Sequence, residues 1–148
     1  MNRYGHFALM TATSTVIMYG LMYLNTYSPD HVYFSQTRMW MALLMGAVMG
    51  FVMLLFMWHM YPNKPLNAGI LVTCVALFAG SLWLVRSQST VDDVAWMRAM
   101  IPHHSIAILT SERANITDPR VRELADGIID TQRKEIAEMQ TLIAELDD

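Results

Sequence analysis

Residues with metal-binding side chains cluster at helical spacing in the C-terminal part of the chain. Met97 and Met100 precede the adjacent pair His103 and His104. Residues three or four positions apart share one face of an α-helix, so Met97, Met100 and His104 line up if this segment is helical. Thioether sulfur prefers soft ions and imidazole suits copper, so the set favours Cu(I) over zinc, iron or manganese.

A second segment supplies the face that these residues would meet. Its heptad positions are 121, 125, 128, 132, 135, 139, 142 and 146. All are apolar except Gln132 and Glu135, and such a 4,3 spacing predicts a buried seam. If 91–113 and 119–146 form an antiparallel helical hairpin, Gln132, Glu135 and Met139 reach the level of the Met/His set.

The polar residues in this seam have two interpretations. A polar group buried between helices is costly unless it is satisfied. His104 and Glu135 either hydrogen-bond each other as a structural pair or take part in binding a metal. A proline inside a helix removes one backbone hydrogen bond and kinks the chain, so Pro102 would turn His103 inward beside His104.

Capping signals indicate where the two helices begin. Thr90 followed by Asp93 is similar to a capping box, which predicts a helix that starts near Val91. Asp118 as the N-cap and Pro119 at the first helical position predict the start of the second helix.

The chain before residue 86 is nearly uncharged. The stretches 7–24, 39–61 and 66–85 contain no Asp, Glu, Lys or Arg, and each approaches the ~20 residues that a bilayer core requires. They predict three transmembrane helices. The few flanking basic residues favour a cytoplasmic N-terminus, which places the C-terminal segment on the other side of the membrane.

Methionine recurs along the second stretch, at Met41, Met45, Met49, Met53 and Met57. Each step of four residues advances about 40° around a helix, so this row does not keep to one face. Ala42, Gly46 and Gly50 run beside it as a ridge of small residues, typical of close helix packing in lipid. Packing is therefore favoured over ion passage, and His59 is expected to be an interfacial residue.

Charge, cysteine content and motifs exclude several classes of function. From Arg86 onward there are seven basic and twelve acidic residues, and no basic cluster of the kind that binds nucleic acid. Cys74 is alone, so no disulfide framework is expected. No phosphate-binding loop, nucleophile–base pair or His-Glu-x-x-His pattern occurs, and we predict no enzyme and no nucleic-acid partner.

The C-terminal segment also resembles a known family. Its sequence reads Asp93-x-x-Trp96-Met97-x-x-Met100-Ile101-Pro102-His103-His104-x-x-Ala107-Ile108, followed by Ile129-x-x-Gln132-x-x-Glu135-Ile136-x-x-Met139. Over 91–146 it is similar to the bacterial "domain of unknown function 305" family, whose members look like ferritin-type four-helix bundles and some of which bind copper in the periplasm. The resemblance implies a functional face of Met97, Met100, His103, His104, Glu135 and Met139.

Two departures qualify what this resemblance implies. Ile106 and Thr110 stand where Met is frequent in that family, which implies a smaller metal capacity. The carboxylate di-iron sites of ferritin-like bundles need Glu-x-x-His pairs, whereas the residue three before His103 is Met100.

The sequence thus predicts an all-α protein of the bacterial inner membrane. It would comprise a three-helix transmembrane region, 1–86, and a periplasmic C-terminal helical hairpin, 87–148, which is half of a ferritin-like bundle. The expected function is copper storage, buffering or handover, with Cu(I) as the favoured ion. The alternatives are an accessory subunit of a larger membrane complex and a metal transporter.

A homodimer or higher oligomer is also expected. A second apolar stripe lies beside the heptad seam and would stay partly exposed in a lone hairpin. It consists of Leu124, Ile129, Ile136 and Ile143. A second copy would cover it, and the Gly46–Gly50 ridge could pair the membrane helices of the same two chains. Another subunit, or the protein's own membrane helices, could cover the stripe instead.

Overall fold

A computed structural model describes residues 2–146, which contain α-helices, two short 3₁₀ turns and no strands. The 3₁₀ turns are Pro29–His31 and Trp58–Met60. The helices are α1 (Arg3–Leu21), α2 (Gln36–Phe56), α3 (Lys64–Ser87), α4 (Asp93–Arg113) and α5 (Pro119–Leu146). The predicted all-α class is confirmed for the described part of the chain.

The helices belong to two compact units. The first unit consists of 2–22 and 37–90 and contains α1, α2 and α3. The second consists of 23–36 and 91–146, so the connection after α1 joins α4 and α5. The sequence predicts a domain boundary between residues 86 and 87, and it does not indicate that 23–36 belongs to the second unit.

In the first unit, α2 and α3 are long and apolar enough to cross a membrane, by length and composition. The first predicted span does form a helix, α1, but it is not among the candidate spans. Several Thr, Ser and Tyr residues lower the mean hydropathy of α1. The structure therefore supports two of the three predicted spans.

The small-residue ridge of α2 is used for packing inside the chain. A Cβ atom at Gly46 would overlap the side chain of Thr15, and one at Gly50 would lie 3.4 Å from Thr11 Cγ2 and 3.5 Å from Cys74 Sγ. Gly46 and Gly50 are both buried. The ridge thus receives α1, which corrects the expectation that it pairs membrane helices of two chains.

The second unit is built around the predicted antiparallel hairpin. α4 begins two residues later than predicted, because Asp92 rather than Thr90 is its N-cap and accepts the N–H of Ala95 at 2.8 Å. α5 begins at Pro119 as predicted, and Asp118 accepts the N–H of Arg120 at 2.9 Å. Hydrogen bonds from Arg120 lower the pKa of the exposed Asp118 carboxyl, which keeps this cap ionised.

The hairpin core does not use the whole of the predicted seam. Its buried members are Met97, Ile101, Ile108, Ile129, Ile136, Met139 and Ile143. Val121, Ile128, Leu142 and Leu146 of the predicted seam are instead exposed. The adjacent stripe with three isoleucines is buried, since it can pack on α4 without desolvating Glu135.

The connection 23–36 covers another side of α4. The buried hydroxyl of Ser105 accepts the N–H of Tyr27 at 2.7 Å and lies 2.9 Å from His31 Nδ1. Tyr33 packs against the hairpin core. The hairpin therefore has one side that a segment of its own chain covers and another that faces outward.

Candidate metal centre

The predicted thioether ligands lie in or beside the hairpin core. Met97 and Met139 are 5% and 6% exposed, and Met100 is partly buried and packs against the same cluster. These three methionines come from both helices of the hairpin. The structure thus brings together the sulfur-bearing side chains that the sequence placed on one face.

His104 lies at the edge of this core. Its side chain is 15% exposed, and its Nδ1 is 3.1 Å from Glu135 Oε2. Nδ1 is itself buried and has no hydrogen-bond partner, although the carboxylate oxygen is close to it. A buried nitrogen of this kind has an unused lone pair or an unused proton.

Glu135 is held by a neighbour on its own helix. Gln132 Nε2 donates to Glu135 Oε2 at 3.4 Å, one turn away on α5. The Glu135 side chain is 45% exposed, so water shares the solvation of its charge. The carboxylate therefore lies beside the His104 ring and stays in contact with water.

The surroundings of His104 favour its neutral form. Burial lowers the pKa of His104 below its usual value, Glu135 opposes that shift, and His103 adds to it. A metal binds imidazole only when the nitrogen is unprotonated. At neutral pH His104 is accordingly in the state that a ligand needs.

His103 does not occupy the position that the sequence predicted. Pro102 lies inside α4 and is buried, but the helix continues through it as one element. His103 is exposed, and its ring centroid is 6.2 Å from that of His104. The expectation that the proline turns His103 inward is wrong. His103 follows the buried Ile101 by two residues, which places it on nearly the opposite side of the helix.

The residues present suit a soft ion better than a hard one. Within 2–146, no group of three or more His, Cys, Asp or Glu side chains could hold a metal ion. Thioether sulfur is a further kind of donor on these two helices, and Met97, Met100 and Met139 lie in or beside the hairpin core. Such a donor set fits Cu(I), which accepts sulfur and imidazole together.

Sequence reasoning missed the histidine on the other side of α4. His31 is 13% exposed, and its Nε2 lies 3.9 Å from Asp30 Oδ2, while its Nδ1 faces Ser105. His31 and Ser105 are 74 residues apart in the chain. No periodicity or local spacing could have indicated this contact.

Comparison with known proteins places the candidate site inside a family match. Residues 84–147 match the family described as "Domain of unknown function (DUF305)", which supports the resemblance found in the sequence. The curated "Uncharacterized protein L153" of Acanthamoeba polyphaga mimivirus is 38% identical over 77 residues, covering 51% of this chain and 51% of that protein. The chain thus spans about half the length of this relative. No solved structure matches the chain.

Proposed function

We propose that the protein binds Cu(I) through its C-terminal hairpin, while its apolar helices fix it in a membrane. The observation that carries this proposal is the buried Nδ1 of His104, which makes no hydrogen bond at the edge of a methionine-containing core. A buried polar atom without a partner is uncommon in native proteins and calls for an explanation. Coordination of a soft ion supplies one.

The ligands have distinct roles in this proposal. Met97, Met100 and His104 bind the ion, because they share one face of α4 within two turns. Met139 adds a sulfur from α5, and the exposed His103 provides the first contact for an arriving ion. The apolar surroundings restrict access of water, which is one way in which a protein tunes a metal site.

Glu135 acts on the ion indirectly in this proposal. Glu135 Oε2 lies 3.1 Å from His104 Nδ1, so its negative charge is close enough to attract a cation that this nitrogen binds. A bound cation also compensates its negative charge.

The site suits storage, buffering or handover of copper. His104 is close to the surface and His103 is exposed, so an ion can enter and leave without unfolding of the hairpin. We place the protein in the inner membrane of a bacterium, with the hairpin on the periplasmic side. Two helices of membrane-spanning length support the membrane location. The periplasmic side follows from a cytoplasmic N-terminus only when α1 also crosses the membrane, so the proposal includes α1 as a third span.

A Cu(I) titration of the full chain in detergent tests the proposal. A chromogenic Cu(I) chelator competes with the protein, and the wild type is compared with a double variant, His103→Ala with His104→Ala. The variant should lose at least the roughly 10- to 100-fold in affinity that indirect changes at metal sites cause. His59→Ala is a matched control, because His59 is also exposed but lies in the other unit. Equal affinity in all three proteins would rule out the assignment.

One observation favours a second candidate, a non-enzymatic accessory subunit. The 3.1 Å approach of His104 to Glu135 is also what a structural ion pair would show. In that case His104→Ala would lower the stability of the hairpin, and wild type and variant would bind Cu(I) equally poorly. The same titration, combined with a denaturation curve, separates the two functions.

A further inference from the structure

The hairpin keeps an apolar surface exposed, on the side that contains the candidate metal centre. Trp96 of α4 is 50% exposed, and Leu142 and Leu146 of α5 line an open pocket with it. Large exposed apolar patches mark interaction sites. We name this surface the open face, and it consists of Trp96, Val121, Leu124, Ile128, Leu142 and Leu146.

The chain supplies a cover for a different side of the hairpin. The connection 23–36 is held there by two contacts to the buried Ser105 hydroxyl and by Tyr33. Three of the four residues of the predicted second stripe are not available either, because Ile129, Ile136 and Ile143 are buried, whereas Leu124 is exposed. The open face is thus the part of the hairpin that lacks a partner among the described residues of its unit.

We propose that a second copy of the chain covers the open face, with α4 of one copy packed against α5 of the other. The two copies would be related by a two-fold axis parallel to the helices. The four helices then form a bundle that buries both open faces. A two-fold axis also makes every contact occur twice, so one favourable pair of residues counts double.

The open face is complementary to itself under this symmetry. Within one hairpin, Trp96 lies at the level of Leu142, and His104 lies at the level of Glu135. An axis parallel to the helices preserves these levels. Trp96 therefore meets Leu142 of the second copy, apolar on apolar.

The available area reaches what a stable dimer needs. The 21 residues of α4 extend about 31 Å, and two adjacent helices are about 20 Å wide. A contact of those dimensions covers roughly 600 Å² on each copy. The total of roughly 1,200 Å² is the lower bound of specific protein interfaces.

Cross-linking in membranes tests the pairing directly. Two differently tagged full-length copies are co-expressed, each with Cys74→Ser, one with Trp96→Cys and the other with Leu142→Cys. A short bis-maleimide should join the two tags efficiently. Replacing the second partner by Ala137→Cys gives a control, because Ala137 is exposed on the opposite side of α5. Equal cross-linking of both pairs, or of neither, would overturn the proposed interface.

Mass measurement in mild detergent gives an independent readout. The wild type should have the mass of a dimer, and Leu142→Lys should weaken association at least about 30-fold, because it places a charge in an apolar contact. Ala137→Lys should remain dimeric. Circular dichroism establishes whether each variant keeps its helices. A wild type that is monomeric at micromolar concentration contradicts the proposal. None of these measurements uses copper, so their outcome is separate from that of the copper titration.

Discussion

Replacing Met97 by leucine should separate the packing role of this residue from its ligand role. Met97 is 5% exposed and belongs to the hairpin core, so both roles are open to it. Leucine has nearly the same volume as methionine but no sulfur. Such volume-conserving exchanges cost less than about 1.5 kcal/mol of unfolding free energy, whereas truncation to alanine costs about 2–5 kcal/mol.

Copper affinity, unlike stability, should fall strongly when Met97 is replaced by leucine, because leucine lacks the sulfur. If Met97 binds the ion directly, Met97→Leu should lower Cu(I) affinity by at least the roughly 10- to 100-fold seen for indirect changes at metal sites. Competition with a Cu(I) chelator measures the affinity, and urea denaturation followed by circular dichroism measures the stability. Ile136→Leu is the matched control, because Ile136 lies in the same core and carries no sulfur. Unchanged affinity in both Met97→Leu and Met100→Leu would refute thioether coordination.

Three further outcomes are expected. Because burial lowers the pKa of His104, the unfolded chain binds more protons in the window between that lowered pKa and about pH 6.5. The copper-free hairpin should therefore lose stability as pH falls through that window, by at most about 1.4 kcal/mol per pH unit, and urea denaturation of His104→Gln should show a weaker dependence. A reporter fused to the C-terminus should be active only outside the cytoplasm, and cytoplasmic activity would invert the proposed topology. Gly46→Ala should destabilise the first unit by about 1–3 kcal/mol through its overlap with Thr15. Gly20→Ala, which meets no atom within 4 Å, should be neutral or stabilising in the same thermal denaturation assay in detergent.

The helices of the hairpin could be predicted because their signals are local. Asp118 and Pro119 define a start by hydrogen bonding and backbone geometry that involve only neighbouring residues. The sequence does not define the first residue of α4 uniquely, because Thr90, Asp92 and Asp93 are all N-cap candidates within four residues. The structure uses Asp92, and the two-residue error has no effect on which residues face the core.

The choice of the buried face on α5 could not be made from periodicity alone. Two stripes with 4,3 spacing run beside each other along α5, and both are largely apolar. The predicted stripe contains Glu135, while the stripe through Ile129, Ile136 and Ile143 has three isoleucines. Desolvation decides between them, because burying a carboxylate costs more than leaving leucines exposed. Comparing these two free-energy costs requires the burial of each side chain, which the sequence does not give.

The packing of 23–36 against α4 could not be predicted from local sequence patterns. Tyr27 and Ser105 are 78 residues apart, and neither has an unusual neighbour in the sequence. A single buried hydroxyl on α4 receives the connection, and nothing in a helical pattern distinguishes that serine from one exposed to water. Sequence reasoning identifies segments that must be buried, but it does not identify which loop covers them.

The depth of His104 in the hairpin bears directly on the proposed function. A fully buried imidazole would be neutral but inaccessible to an arriving ion, and a fully exposed one would be accessible but protonated below its ordinary pKa. At 15% exposure, His104 has a pKa that burial lowers, and it still borders the surface that includes the exposed His103. Glu135, at 45% exposure, keeps contact with water beside the His104 ring. A ligand that is neutral at physiological pH, close to a carboxylate and reachable from the surface can take up an ion and release it, which is what buffering or handover requires.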